Sequence, residues 1–171
     1  MLTSEIVRLS GVIKEKIAGG ANIYNYTIGD FDSRQFPIPK LLEEEIIKAY
    51  HDGYTTYPAA EGEMVLRKAV SQFLKSKNGI DYNPGEILIS NGGRPLIYAL
   101  FKTLVDAGDK VIYPVPSWNN NHYTLFNDGE HAVLDTSAET NFLPTAAQIK
   151  PHLEGARLLC LCSPLNPTGT A

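Results

Sequence analysis

The pattern of hydrophobic and polar positions is clearest between residues 86 and 105. A short apolar run at 87–89 is broken by two glycines and followed by apolar residues spaced for one face of a helix, namely Leu96, Ile97, Leu100 and Leu104. This pattern predicts a strand, a tight turn and a helix. Because glycines let bare backbone approach a ligand and a helix start offers unpaired N–H groups, a phosphate would fit at Gly92, Gly93 and Arg94. An ordinary strand-to-helix turn explains the two glycines equally well.

Helical and strand-like patterns alternate along the rest of the chain. Helical spacing of apolar residues predicts helices at 4–18, 39–52 and 65–74, with a brief one at 145–150. Short apolar runs predict strands at 109–113, 131–135 and 157–162, and a strand or extended segment at 22–28. The unbroken apolar character of 157–162 fits a strand covered on both faces. The alternation predicts an α/β fold with a mostly parallel sheet and flanking helices.

Three loops that follow predicted strands contain residues suited to binding. They are the Gly92-Gly93 turn, the loop with Trp118, which is the only tryptophan, and the loop with Asn166. Open α/β sheets bind ligands beyond the carboxyl ends of their strands, so we expect the three loops to meet at one site. A single tryptophan is more often a core residue, and a loop tyrosine such as Tyr57 more often covers a core.

Composition and charge exclude several functional classes. The chain has 171 residues, of which 43% are hydrophobic and 20% are charged, and this predicts a globular protein with a sizeable core. The net charge of −4 and the absence of a Lys/Arg cluster argue against nucleic acid as a partner. The N-terminus lacks a secretory signal pattern and no apolar run is long enough to span a membrane. We therefore expect a soluble, cytoplasmic protein that does not bind membranes.

The cysteines and histidines do not suggest a metal site or a disulfide. Cys160 and Cys162 are separated by one residue in an apolar run, so both side chains would lie on the same face of a strand. The four histidines are scattered, and no pair shows the spacing of zinc ligands. We predict two buried strand thiols and no metal.

The segment 163–169, with the sequence Ser-Pro-Leu-Asn-Pro-Thr-Gly, is very close to the N-P-x-N-P-T-G motif of fold-type I, pyridoxal-phosphate-dependent aminotransferases of class I/II. The chain resembles this family from the Gly29 loop to Gly169. The resemblance implies pyridoxal 5'-phosphate as cofactor, with Asn166 hydrogen-bonded to the oxygen on its ring. It also implies cis peptide bonds before Pro167 and before Pro116, as is common in relatives.

The same resemblance assigns roles to the other candidate residues. It implies that Gly92, Gly93 and Arg94 form the phosphate loop and that Trp118 stacks on the pyridine ring. Tyr57 is similar to a family tyrosine that crosses a dimer interface to the neighbouring subunit's cofactor phosphate, so a homodimer is implied. Gly29 corresponds to a position near the substrate carboxylate.

The resemblance further implies that three catalytic groups lie beyond Ala171: the Schiff-base lysine, an aspartate at the pyridine nitrogen and an arginine that binds the substrate carboxylate. No lysine of this chain has a matching context. We therefore expect an N-terminal piece of a longer protein that is inactive alone. Residues 1–40 would form the arm and part of the small domain, and 41–171 the first half of the large cofactor-binding domain.

The resemblance implies an enzyme that moves an amino group between an amino acid and a 2-oxo acid. Two alternatives remain open. One is a C–S lyase or decarboxylase of the same fold, because these need the same cofactor contacts. The other is a non-catalytic ligand-sensing domain of a regulator, which a DNA-binding helix pair upstream would indicate. The acidic composition and the N-terminal arm favour the enzyme.

Overall fold

The structure is a computed structural model that describes residues 5–27 and 29–171. The chain divides into two compact units, Met1–Tyr57 and Pro58–Ala171. The assignment of residues 1–40 and 41–171 to a small and a large domain stays a prediction. In the described ranges no helix combines the length and the apolar character needed to cross a membrane.

The N-terminal unit contains two helices at predicted positions, α1 (Glu5–Ala18) and α2 (Lys40–His51). Helix α1 is followed by a glycine pair, where the Gly19 N–H donates to the Glu15 carbonyl at 3.0 Å. Helix α2 begins after Pro39 and ends at Asp52. Residues 22–27, predicted as a strand or an extended segment, form neither helix nor strand, while Ile28 lies outside the described residues.

The C-terminal unit begins with the predicted helix α3 (Met64–Asn78) and a 3-10 helix at Pro84–Glu86. Gly79, at φ 68°, ends α3 in the left-handed conformation that glycine adopts readily. Residues 87–89 were predicted as a strand, and this is wrong for the described chain, where they pair with no other strand. A strand needs a neighbour to share its backbone hydrogen bonds; here the Ile89 N–H donates instead to the Glu61 carbonyl at 2.9 Å.

A parallel sheet follows the helix α4 (Gly93–Leu104) and confirms the predicted α/β fold with flanking helices. Its strands are β1 (Lys110–Val115), β2 (Glu130–Asp135) and β3 (Ala156–Leu159), in the order β2-β1-β3. Both pairs are parallel, with Ile112 aligned to Ala132 on one side and to Leu159 on the other. The connections include α5 (Asn120–Leu125) and α6 (Ala146–Ile149).

The core lies on both faces of β1, because successive side chains of a strand point to opposite faces. One cluster consists of Phe101, Val105, Val111, Tyr113 and Tyr123. The other consists of Ile112, Ala132 and Leu134, with Ile149 and Ala156 packed against it. The central strand thus joins α4 and α5 on one side to α6 on the other.

Two expectations about strand ends and burial need correction. The strand predicted at 109–113 extends further, because Pro114 and Val115 also belong to β1. The run at 157–162 was predicted as a strand covered on both faces. Strand β3 ends at Leu159, however, and Leu161 is 61% exposed. Cys162 is therefore exposed rather than buried, whereas Cys160 is half-buried. An apolar run reports a preference for burial, but the burial itself needs an element on each face.

Candidate active site

The predicted phosphate turn lies at the start of α4. The Gly92 N–H donates to the Ser90 carbonyl at 2.8 Å, and Gly92 has φ 98°, a conformation that favours glycine. No side chain in the described residues caps the helix at Gly92. A Cβ added at Gly92 or Gly93 would meet no atom within 4 Å. The turn therefore presents uncapped N–H groups and the positive end of a helix dipole to open space, an arrangement that suits an anion.

Arg94 brings the phosphate turn and the tryptophan loop together. Its guanidinium carbon lies 5.8 Å from the centroid of the Trp118 ring, within the range of a cation–π contact. Trp118 follows β1 and is 38% exposed, so it is not one of the core residues. Two of the three predicted loops thus meet through their side chains.

The tryptophan loop leaves β1 in a direction that several backbone features fix. The Val115–Pro116 bond is cis, as the resemblance implied, and Asn119 has φ 61°. The Thr136 hydroxyl donates to the Val115 carbonyl at 2.7 Å, and its oxygen also lies 3.1 Å from the Phe142 carbonyl oxygen. Thr136 was not among the predicted site residues, although a hydroxyl directly after β2 is a signal that could have indicated it. It ties the ends of β1 and β2 together.

The asparagine loop follows β3 and is closed by its own backbone. The Leu165 N–H donates to the Thr170 carbonyl at 2.7 Å, and Leu165 is only 2% exposed. The Asn166–Pro167 bond is cis, as implied, and so is Ser163–Pro164. Asn166 is exposed, and its carboxamide has no hydrogen-bond partner among residues 5–27 and 29–171. Because β3 and β1 are parallel neighbours, this loop and the tryptophan loop leave the same edge of the sheet.

A cavity of about 240 Å³ lies beside the asparagine loop. Its lining contains no charged side chain and consists of Pro114, Leu143, Pro144, Leu161, Cys162, Ser163 and Leu165. Such a lining suits apolar groups and offers no charge to a phosphate. The start of α4 therefore suits an anion better than this cavity does.

The shifted titratable groups of the sheet belong to the core. Burial raises the pKa of the Cys160 thiol to about 11. Burial and, to a smaller extent, the nearby Cys160 raise the pKa of Tyr113, whose hydroxyl shares a 2.8 Å hydrogen bond with Nδ1 of His131. Both groups keep their protons at neutral pH, and they lie where packing accounts for them.

Tyr57 and Gly29 belong to the N-terminal unit, and both are exposed. Gly29 follows Ile28, which lies outside the described residues. The roles implied for these two residues stay predictions.

Comparison with known proteins decides the family. The family "Aminotransferase class I and II" matches residues 21–171. The chain belongs to the class I and II aminotransferase family. Among curated members, it is 33% identical over 169 residues to the bifunctional aspartate aminotransferase and glutamate/aspartate-prephenate aminotransferase of Petunia hybrida. This match covers 98% of this chain and 35% of the relative. It is 36% identical over 138 residues to a probable aspartate/prephenate aminotransferase of Rickettsia felis, covering 80% of this chain and 34% of the relative.

Solved structures of aminotransferases agree with this assignment. The aspartate aminotransferase of Thermus thermophilus with maleate superimposes with a TM-score of 0.87 at 27% identity, covering 98% of this chain and 44% of that one. The aspartate aminotransferase of Rhizobium meliloti superimposes with a TM-score of 0.86 at 26% identity, and the match covers 98% of this chain and 42% of that one. The chain thus spans about a third of the length of the curated relatives and under half of the solved ones. Both the fold and the family predicted from the sequence are confirmed.

The residues present fit the cofactor that the family implies. Pyridoxal phosphate has a phosphate, a flat ring and a phenolic oxygen. The open Gly92-Gly93 turn suits the phosphate, the exposed indole of Trp118 suits the ring, and the unpaired carboxamide of Asn166 can donate to the oxygen. The assignment of these residues to the cofactor remains a prediction.

Proposed function

We propose that this chain carries part of the cofactor site of a pyridoxal-phosphate-dependent aminotransferase that moves an amino group between an acidic amino acid and a 2-oxo acid. The Petunia relative is an aspartate aminotransferase and the Rickettsia relative a probable aspartate/prephenate aminotransferase, which supports the acidic substrate. The longer relatives support the further proposal that these 171 residues belong to a longer protein.

The observation that carries the proposal is the contact between Arg94 and Trp118. It joins the start of α4, which suits a phosphate, to an aromatic ring that follows the neighbouring strand β1. A ligand bound there would have an anion and a flat ring, and pyridoxal phosphate has both. A turn that only led into a helix would not need an exposed indole beside it.

Each residue would have a distinct role in holding the cofactor. Backbone N–H groups at Gly93 and Arg94 would bind the phosphate, and the indole of Trp118 would cover one face of the ring and exclude water from it. The carboxamide of Asn166 would donate a hydrogen bond to the ring oxygen without adding charge. When bound, pyridoxal phosphate supplies an electron sink for the substrate carbanion.

The remaining parts of the proposal concern the whole protein. We propose a cytoplasmic homodimer, in which Tyr57 would contact the phosphate bound by the partner subunit and Gly29 would lie near the substrate carboxylate. The lysine, the aspartate and the arginine that the chemistry needs would be supplied by residues after Ala171, so the 171-residue chain would have no turnover of its own.

The experiment uses the full-length protein with aspartate and a 2-oxo acid, and we expect ping-pong kinetics with a shift of the cofactor absorbance. Asn166→Ala should lower kcat/KM by about tenfold or more, because it removes a hydrogen bond to a charged oxygen. Asn78→Ala, at the exposed end of α3, is the matched control and should not change it.

Three results would contradict the proposal. A full-length protein that never binds pyridoxal phosphate would exclude the aminotransferase. Turnover by the purified 171-residue chain would show that the missing groups are not needed. Product analysis separates transfer from elimination: an amino acid formed from the 2-oxo acid supports the proposal, whereas free ammonia would assign the site to a lyase.

A further inference from the structure

The contact between Arg94 and Trp118 also assigns a role to the arginine side chain itself. Arg94 is the second residue of α4, and helical side chains lean toward the N-terminus of their helix. Its guanidinium therefore extends back past the phosphate turn to the loop after β1, where it lies over the indole. Both residues belong to the C-terminal unit.

Packing alone does not fix the indole of Trp118. The ring is 38% exposed and belongs to neither core cluster. Within the described ranges, the guanidinium of Arg94 is the charged group that contacts this ring.

The charge of Arg94 is available for this contact. In the part of the chain that the structure describes, no carboxylate lies within ion-pair distance of it, in contrast to Arg34, which pairs with Asp32 at 2.7 Å. A guanidinium is planar and weakly hydrated, so it stacks on an aromatic face better than an ammonium does. Arginine at this position thus provides both the positive charge and the planar group that a cation–π contact with the indole requires.

We infer that Arg94 is a positioning residue that holds the Trp118 indole beside the start of α4, ready to stack on a ligand ring. The inference deepens the proposed function and depends on it for the identity of that ring. An indole already held in place loses less side-chain freedom when the ligand binds. Arg94 would then affect cofactor binding through Trp118, in addition to the backbone N–H that it contributes.

The first test is made on the 171-residue chain without cofactor, because Trp118 is its only tryptophan and reports its own mobility by fluorescence. Arg94→Met should lower the anisotropy of the indole and increase its quenching by acrylamide. Arg94→Lys keeps the charge but not the planar shape, so it should fall between Arg94→Met and the wild type. Lys102→Met, in the last turn of the same helix, is the control and should match the wild type.

Wild-type anisotropy and quenching in folded Arg94→Met, with folding checked by far-ultraviolet circular dichroism, would overturn the inference. If Arg94→Met does not fold, the Arg94→Lys variant alone is the test. Wild-type anisotropy and quenching in Arg94→Lys would then overturn the inference. A purely structural role for Arg94 would lower stability without changing the indole signal of the folded state.

The second test measures the dissociation constant of pyridoxal phosphate in the full-length protein. A cation–π contact at an exposed site corresponds to roughly a two- to fivefold effect, so Arg94→Met should weaken binding by about that factor and Arg94→Lys by less. Equal affinity in wild type and Arg94→Met would overturn the link to the cofactor. If the wild type itself binds none, the proposed function fails, and the fluorescence result still decides whether Arg94 holds the indole.

Discussion

Strand β1 and helix α2 are both rich in apolar residues, yet their surroundings differ completely. Four consecutive residues of β1, Val111 to Pro114, are buried. Helix α2 buries none of its residues, although it has five large hydrophobic side chains that are 44–70% exposed: Leu41, Leu42, Ile46, Ile47 and Tyr50. The hydrophobic pattern of each element was sufficient to predict its secondary structure correctly.

The difference shows that periodicity and burial are separate properties. Strand β1 has β2 and β3 beside it, α4 and α5 over one face and α6 over the other. The apolar spacing of α2 depends only on its own sequence, whereas burial depends on which other elements lie against it. An apolar stripe therefore marks a surface able to form an interface, and the fold decides whether that surface enters the core.

Matched isoleucine substitutions test the comparison with the largest expected effect. Ile112→Ala in β1 should lower the free energy of unfolding by about 2–5 kcal/mol, because it leaves a cavity in a fully buried site. Ile47→Ala in α2, where the side chain is 49% exposed, should change it by about 0.5 kcal/mol or less. Urea unfolding followed by Trp118 fluorescence measures both. Equal losses in the two variants would show that α2 is as much a part of the folding core as β1.

Matched glycine substitutions separate close packing from backbone strain. Gly62, at φ +96°, and Gly53, at φ +83°, both have left-handed backbones that penalise a side chain. A Cβ at Gly62 would lie 2.5 Å from the Cβ of Ile89, while one at Gly53 would meet nothing within 4 Å. Gly62→Ala should therefore cost about 1–3 kcal/mol more than Gly53→Ala in thermal or urea unfolding. Similar losses would mean that the segment around Ile89 moves aside at little cost.

The cysteines extend the comparison to chemical reactivity. Cys160 packs against the core with its pKa raised to about 11, so its thiolate fraction between pH 7 and 9 is roughly a hundredfold below that of an ordinary thiol. Higher intrinsic nucleophilicity compensates in part, leaving a net loss in alkylation rate of about tenfold or more. We expect iodoacetamide at pH 8 to label exposed Cys162 first, as read by peptide mass spectrometry. Single serine variants serve as controls, and equal rates would contradict burial of Cys160.

Substitutions of Arg157 and Lys40 give the smallest expected effects. Its side-chain N–H donates to the carbonyl of Leu104, the last residue of α4, at 2.6 Å. Arg157→Ala should lower the unfolding free energy by about 0.5–1 kcal/mol, because the side chain is 54% exposed and water replaces part of the bond. Lys40→Ala, which removes an exposed i,i+4 pair with Glu44, should cost less than about 0.5 kcal/mol. A larger loss for Lys40→Ala would reverse the order predicted for the two regions.

The secondary-structure predictions show the same difference between local apolar spacing and contacts with other elements. The positions of α1 to α4 and of β1 and β2 were predictable because apolar spacing is a local property. The run at 87–89 and the end of the run at 157–162 were predicted as strand, but neither segment has the ladder partners that would make it one in the described chain. The cis bonds before Pro116 and Pro167 were predictable only through resemblance to a family, since no local pattern requires them.

The sequence by itself determined the α/β class, the glycine turn before α4, and the family motif around Asn166. Only the tertiary structure decided that the Arg94 guanidinium lies over Trp118, that Thr136 ties the ends of β1 and β2 together, and that Cys162 is exposed. The physical reason is the range of the interactions. Turns, periodicity and motifs depend on neighbours in sequence, whereas side-chain contacts and burial depend on residues that only the parallel sheet brings together.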